Sequence, residues 1–126
     1  MLKIIIDGLV FEQSEKPCSK VTFNYRTWIC VIVAVIIKYT NKDKYKAEAL
    51  VLGSSIICGA LNNYMSVALR SHETEYHWAM TIVYGERYWD KNISAEEPQD
   101  YFEWEIEYRL KNNLAKESFE FFDGSE

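Results

Sequence analysis

The chain has 126 residues, 48% of them apolar and 26% charged, which is enough for one domain with a packed core and argues against disorder over most of its length. The net charge is −5, and the imbalance is concentrated late in the chain: residues 96–126 carry ten acids against Arg109, Lys111 and Lys116. That excludes nucleic acid as a ligand of the C-terminal quarter and leaves room for a basic protein.

Residues 3–6 and 9–12 are short β-prone runs on either side of Asp7-Gly8, a strong hairpin signal. No signal peptide is visible, since Ile4–Ile6 is too short for its apolar region. Residues 12–19, with Pro17, read as a loop. Val21, Phe23 and Tyr25 alternate with polar residues, so a strand follows. Residues 28–37 form a continuous apolar run with seven β-branched side chains. Branching favours a buried strand, although the period of an all-apolar run does not separate strand from helix.

Residues 45–69 read as one long helix. Glu48, Ser55, Asn62, Ser66 and Arg70 share a narrow polar stripe, and Gly53 and Gly59 are places where the helix breaks or admits a close neighbour. Within it, 49–69 is 21 residues without a charge. That length suffices to cross a bilayer, but the polar stripe speaks for a core helix and no membrane partner. Tyr76, Trp78, Met80, Ile82 and Tyr84 then alternate as in a strand, followed by a Gly85-Glu86 turn and a loop over 91–99. The strictest alternation is F-E-W-E-I-E-Y-R-L-K. As a strand, residues 102–110 place Phe102, Trp104, Ile106, Tyr108 and Leu110 on one face and their charged neighbours on the other. As a helix they would split the apolar residues onto opposite sides. Asn112-Asn113 ends this segment, and 119–122 forms a last short strand. The fold class expected is α+β: an antiparallel β-sheet packed against one long, breakable helix, in a single domain spanning 1–126.

Cys18, Cys30 and Cys58 include no C-x-x-C and no zinc-ligand spacing. They are expected to be reduced in a cytoplasmic setting, with Cys30 and Cys58 buried as small hydrophobes. In His72-Glu73-Thr74-Glu75-Tyr76-His77 the histidines are five apart, whereas the zinc motif needs four, so no metal is expected. Glu73 and His77 would suit an acid–base pair on a helical turn, yet nothing adjacent supplies a nucleophile or an orienting third group. Gly53-Ser54-Ser55 lacks the lysine of a phosphate loop, and no Walker, dinucleotide or G-x-S-x-G motif occurs, so no cofactor is expected.

The candidate site is the row Glu103, Glu105 and Glu107, extended by Asp100. On a strand, alternate carboxylates lie ~6.8 Å apart and form a rigid line of negative charge. The leading expectation is therefore a small protein-binding module that occludes a basic partner, such as a nuclease or toxin, through an acidic sheet face. Size, acidity and lack of catalytic signatures are those of small inhibitor or immunity proteins, a likeness of type with no motif behind it. The alternative is a ligand-binding or hydrolytic domain with a pocket lined by Tyr64, Tyr76, Trp78, Trp89 or Trp104. The simpler reading of the carboxylate row is a solvated face paired to its neighbours.

Overall fold

A computed structural model describes residues 5–123. Three strands form one antiparallel sheet in the order β1 (Leu9–Gln13), β2 (Lys16–Phe23), β3 (Phe119–Asp123), with β2 in the centre. Leu9 pairs with Phe23 and Phe23 with Phe119, so the alternation of Val21 and Phe23 turns both onto the core side. Phe23 and Phe119 stack there at 4.8 Å. Six α-helices complete the α+β fold: α1 (Tyr25–Tyr39), α2 (Lys44–Leu52), α3 (Ser55–Cys58), α4 (Tyr64–Arg70), α5 (Glu75–Tyr84) and α6 (Tyr101–Lys111). A single 3-10 turn covers Tyr88–Lys91.

The expected hairpin is displaced by one unit. Residues 3 and 4 of its first run lie outside the described residues, and Ile5 and Ile6 are not in a strand. The hairpin turn is instead at Ser14-Glu15, within the expected loop, and residues 16–19 belong to β2. Asp7 serves α1: its carboxylate accepts from the backbone N–H of Thr27 at 2.8 Å and from its hydroxyl at 2.7 Å. These bonds meet a helical N–H that has no partner within its own helix. Gly8, at φ +80°, turns the chain from there into β1.

The apolar run 28–37 is helical. As a strand it would extend ~33 Å, far beyond its five-residue neighbours, whereas as a helix it spans ~15 Å. α1 lies in the middle of the molecule and buries Trp28, Ile29, Val31, Ile32, Ala34, Val35 and Ile36. Branched residues cost at most ~0.7 kcal/mol each in a helix, while burying one contributes ~1.5–3 kcal/mol, so packing overrides local preference.

The expected long helix over 45–69 is three helices. Gly53 ends α2 and Gly59 ends α3, while Ser54 and Asn63 accept from the N–H groups of Ile56 and Ser66 and start the next helix. The capping residues Ser54 and Asn63 directly precede Ser55 and follow Asn62 of the polar stripe, so the stripe is cut at both places. The Arg70 guanidinium donates twice to the carbonyl of Ile56, tying α4 back to α3. Among the described residues no helix is long and apolar enough to cross a membrane.

The expected strand over 76–84 is α5, capped by Thr74 and closed by Gly85 at φ +95°. Its alternation counted Ala79 as outward-facing. On a helix Ala79 falls beside Tyr76 and Met80, and all three are buried. The expected strand over 102–110 is α6, described below. All three cysteines are free, but Cys58 is exposed, because the short α3 turns Ile57 inward; Cys30 is half-buried and Cys18 exposed.

Asn24 joins the two ends of the fold. Its side chain accepts from Gly8 N at 3.0 Å and donates to Glu117 O at 2.8 Å and Glu120 Oε2 at 3.0 Å. Asn24→Ala strands all three groups, and the expected loss is about 2 kcal/mol. Urea unfolding checks this: the midpoint should fall with the slope unchanged.

Candidate functional site

Helix α6 carries every residue of the sequence-derived site except Asp100, which occupies its N-cap position. Residues four apart share a helix face, so α6 divides into four stripes. Tyr101, Glu105 and Arg109 point into the protein. Trp104 and Tyr108 are half-buried and stack on one another at 5.3 Å. Phe102, Ile106 and Leu110 face solvent at 55%, 61% and 75% exposure. Glu103, Glu107 and Lys111 form the fourth, fully exposed stripe.

The straight row of three carboxylates on a sheet face therefore does not exist. Glu103 and Glu107 lie one turn apart on the outside, and Glu105 is turned inward. The apolar residues do split onto opposite sides, the arrangement that in the sequence argues against a helix. One half, Trp104 and Tyr108, serves the interior, and the other half is left in water.

Glu105 belongs to a buried ion cluster. Arg109 donates through Nε and Nη2 to Glu105 Oε2, through Nη2 to Glu75 Oε2 at 3.1 Å and to Ser118 Oγ at 3.2 Å, and through Nη1 to Ala115 O at 3.2 Å. The Ser118 hydroxyl donates to Glu75 Oε2. Glu75 stands at the first turn of α5, so the cluster joins α5, α6 and the segment leading into β3. Burial and the nearby charge of Glu105 push the Glu75 carboxyl above its ordinary value, and outweigh the opposing pull of Ser118 and Arg109. Burial lowers the Arg109 guanidinium, but the two carboxylates outweigh it and hold it above its usual range.

Asp100 does not cap α6 with its side chain. It accepts from the Tyr39 hydroxyl at 2.9 Å and pairs with Lys38 at 3.3 Å. The Tyr39 bond and then the Lys38 ammonium hold its carboxyl below the ordinary value. Lys38 also lies 5.8 Å from the centre of the Trp104 ring.

Between α1, α2 and α6 runs a groove of about 830 Å³. Ile29, Cys30, Val33, Ala34 and Ile37 of α1 form its floor, with Trp104 and Tyr108 along one wall and Lys44, Glu48 and Leu52 of α2 along the other. Of the five aromatic residues expected to line a pocket, Trp104 alone does so here. Tyr76 is in the core and donates to Ser94 O at 2.9 Å, Trp78 Nε1 donates to Arg70 O at 2.9 Å, Tyr64 packs on Phe121, and Trp89 is exposed. The groove floor was hidden in sequence because its run was read as a strand. Its spacing at residues 26, 29, 30, 33, 34, 37 and 38 is that of one helix face.

His77 of α5 meets Glu73, which precedes the Thr74 cap, with Nδ1 3.9 Å from Oε1, and His77 Nδ1 lies 3.1 Å from the Tyr88 hydroxyl. Burial, above all, pushes Tyr88 up to about 12, so it stays protonated at neutral pH. Neither histidine nor Glu73 lines the groove. Among the described residues no group of three or more His, Cys, Asp or Glu is placed to hold a metal ion.

Two substitutions separate the members of the buried cluster. Arg109→Met leaves two buried carboxylates without a cation, and the expected cost is about 3–5 kcal/mol. Glu75→Gln removes the charge that burial disfavours, while Arg109 keeps Glu105; its expected cost at pH 7 is under about 1 kcal/mol. A folded-state value raised above the ordinary 4.5 means that the native state binds more protons than the unfolded one. Stability then falls as pH rises from that ordinary value through the raised one. Unfolding curves across this window should show wild type losing ground to Glu75→Gln as pH rises.

No protein-family model matches the chain, no curated protein matches its sequence, and no solved structure matches its fold.

Proposed function

We propose that the protein is a binding module of the inhibitor type, which docks a basic partner protein through the outward face of α6. The observation that carries this reading is the stripe Phe102, Ile106 and Leu110, which folding leaves exposed along two turns of helix. Such a stripe is the recognition element of a helix laid into an apolar groove, with anchors at i, i+4 and i+8. Large apolar side chains aligned in this way mark interaction surfaces, whereas scattered ones do not.

Charge gives the partner its sign. Glu103 and Glu107 run beside the stripe and make no ion pair among the described residues, so their charges are available to steer an incoming cationic surface. Asp100 lies at the N-terminal end of the same helix, already engaged by Lys38 and Tyr39. Glu105 is buried in the Arg109 cluster and contributes nothing to the outer face. The acidic surface is thus narrower than a three-carboxylate row and bordered by hydrophobic anchors.

A partner is first captured from lysate on the immobilised chain and identified, and its rates are then measured with variants. Glu103→Gln/Glu107→Gln should slow association at least tenfold at low salt, with less effect as salt screens the charges. Ile106→Asp should abolish binding. Both should leave the melting temperature nearly unchanged, since exposed charges contribute only ~0–1 kcal/mol. A partner that is acidic, or one held equally by all variants, would refute the reading.

A further inference from the structure

We infer that the groove between α1, α2 and α6 is a second, separate binding site, which takes one small amphipathic anion: an acyl chain lying along α1 with its carboxylate at Arg26. The groove is on the opposite side of α6 from Phe102, Ile106 and Leu110, so it does not depend on the docking face described above.

Shape is the first argument. The lining residues of α1 run from Arg26 to Lys38 along one helix face, a length of ~18 Å. Ile29, Val33, Ala34 and Ile37 make a continuous aliphatic floor, and the flat rings of Trp104 and Tyr108 form a wall. Ile37 and Leu52 keep 41% and 51% of their surface exposed there, an apolar area the fold itself does not cover. A volume of about 830 Å³ lies within the range of small-molecule sites, ~300–1,000 Å³.

Charge is the second. In a protein with a net charge of −5, the groove is lined by Arg26, Lys38 and Lys44 against the single carboxylate of Glu48. The three cations are not equivalent. Lys38 is paired with Asp100 at 3.3 Å. Lys44 stands one turn before Glu48 on α2 and makes no ion pair among the described residues, but its ammonium is a point charge rather than a planar fork. Arg26 makes no ion pair among the described residues, and the carboxylate of Asp7 has both oxygens bonded to the adjacent Thr27. A guanidinium fork is also the better match to a carboxylate. The polar end of the ligand is therefore assigned to Arg26 and the apolar chain to the stretch leading towards Trp104.

Cys30 supplies the readout, because it lies in the groove floor while Cys18 and Cys58 are exposed elsewhere. The full chain is alkylated with iodoacetamide, and each cysteine is followed by peptide mass spectrometry. Dodecanoate, kept below its micelle-forming concentration, should slow alkylation of Cys30 at least fivefold and leave Cys18 and Cys58 unchanged. Arg26→Gln should raise the half-protecting concentration at least tenfold, and Lys44→Gln by less than threefold. Neutral dodecanol should need a concentration at least tenfold above that of dodecanoate. Equal protection by the alcohol, no response to Arg26→Gln, or no protection would overturn the assignment. So would protection of Cys30 that rises with protein concentration in the absence of ligand, which would show a second copy covering the groove. Protection by an acidic helical peptide with none by dodecanoate would overturn it in favour of a protein occupant.

Discussion

The Arg109 guanidinium sits where α5, α6 and the approach to β3 meet, and it satisfies all three at once. Two buried carboxylates, a hydroxyl and a backbone carbonyl converge on one planar fork. An apolar residue of similar size could fill the space, but it would leave the carboxyl groups of Glu75 and Glu105 buried without a cation. The orientation of α6 is thus set by a polar contact together with the buried Tyr101 ring and the half-buried Trp104 and Tyr108. That frees the apolar residues on the rest of the helix for other surfaces, and the inward stripe needs only Tyr101 alongside Glu105 and Arg109.

Helix α6 consequently has several separate roles within eleven residues. One stripe anchors it, one walls the groove, one is apolar and exposed, and one carries Glu103, Glu107 and Lys111. In most surface helices the apolar side chains converge on the core. Here they diverge, and the outward half is left in water.

The same divergence explains part of what the sequence hid. An α+β domain, the β2 strand around Val21 and Phe23, the closing strand after Ser118 and the break at Asn112-Asn113 all follow from local pattern. The three segments read wrongly as strands have three separate causes. Residues 28–37 bury nearly every side of a central helix, so no period is imprinted on them. In 76–84 Ala79 served the core while counting as a gap in the alternation. In 102–110 the buried face is held by Glu105 and Arg109, which any hydrophobicity pattern assigns to solvent. Asp7-Gly8 misled for a different reason: its acid caps a helix twenty residues on, a contact local pattern does not foresee. The groove went unseen because its floor required α1 to be helical, although Trp104 was named as a lining residue.

The side chain of Asn24 bridges Gly8 to Glu117 and Glu120, across 16, 93 and 96 residues of chain. Its neighbour β2 has an antiparallel partner on one edge from the strand just before it in sequence and on the other from the last one described. A chain emerging in order from the ribosome can form the β1–β2 hairpin and α1 early, but the second edge of β2 stays open until β3 arrives. Over the same interval Glu75 waits for Arg109 and Ser118. Such high sequence separation makes the final step of assembly slow compared with helix formation. It also makes that step all-or-none: sheet edge, Asn24 junction and ion cluster close together. Until then the half-finished fold presents a bare strand and an uncompensated acid, the species most exposed to misassociation and to chaperones.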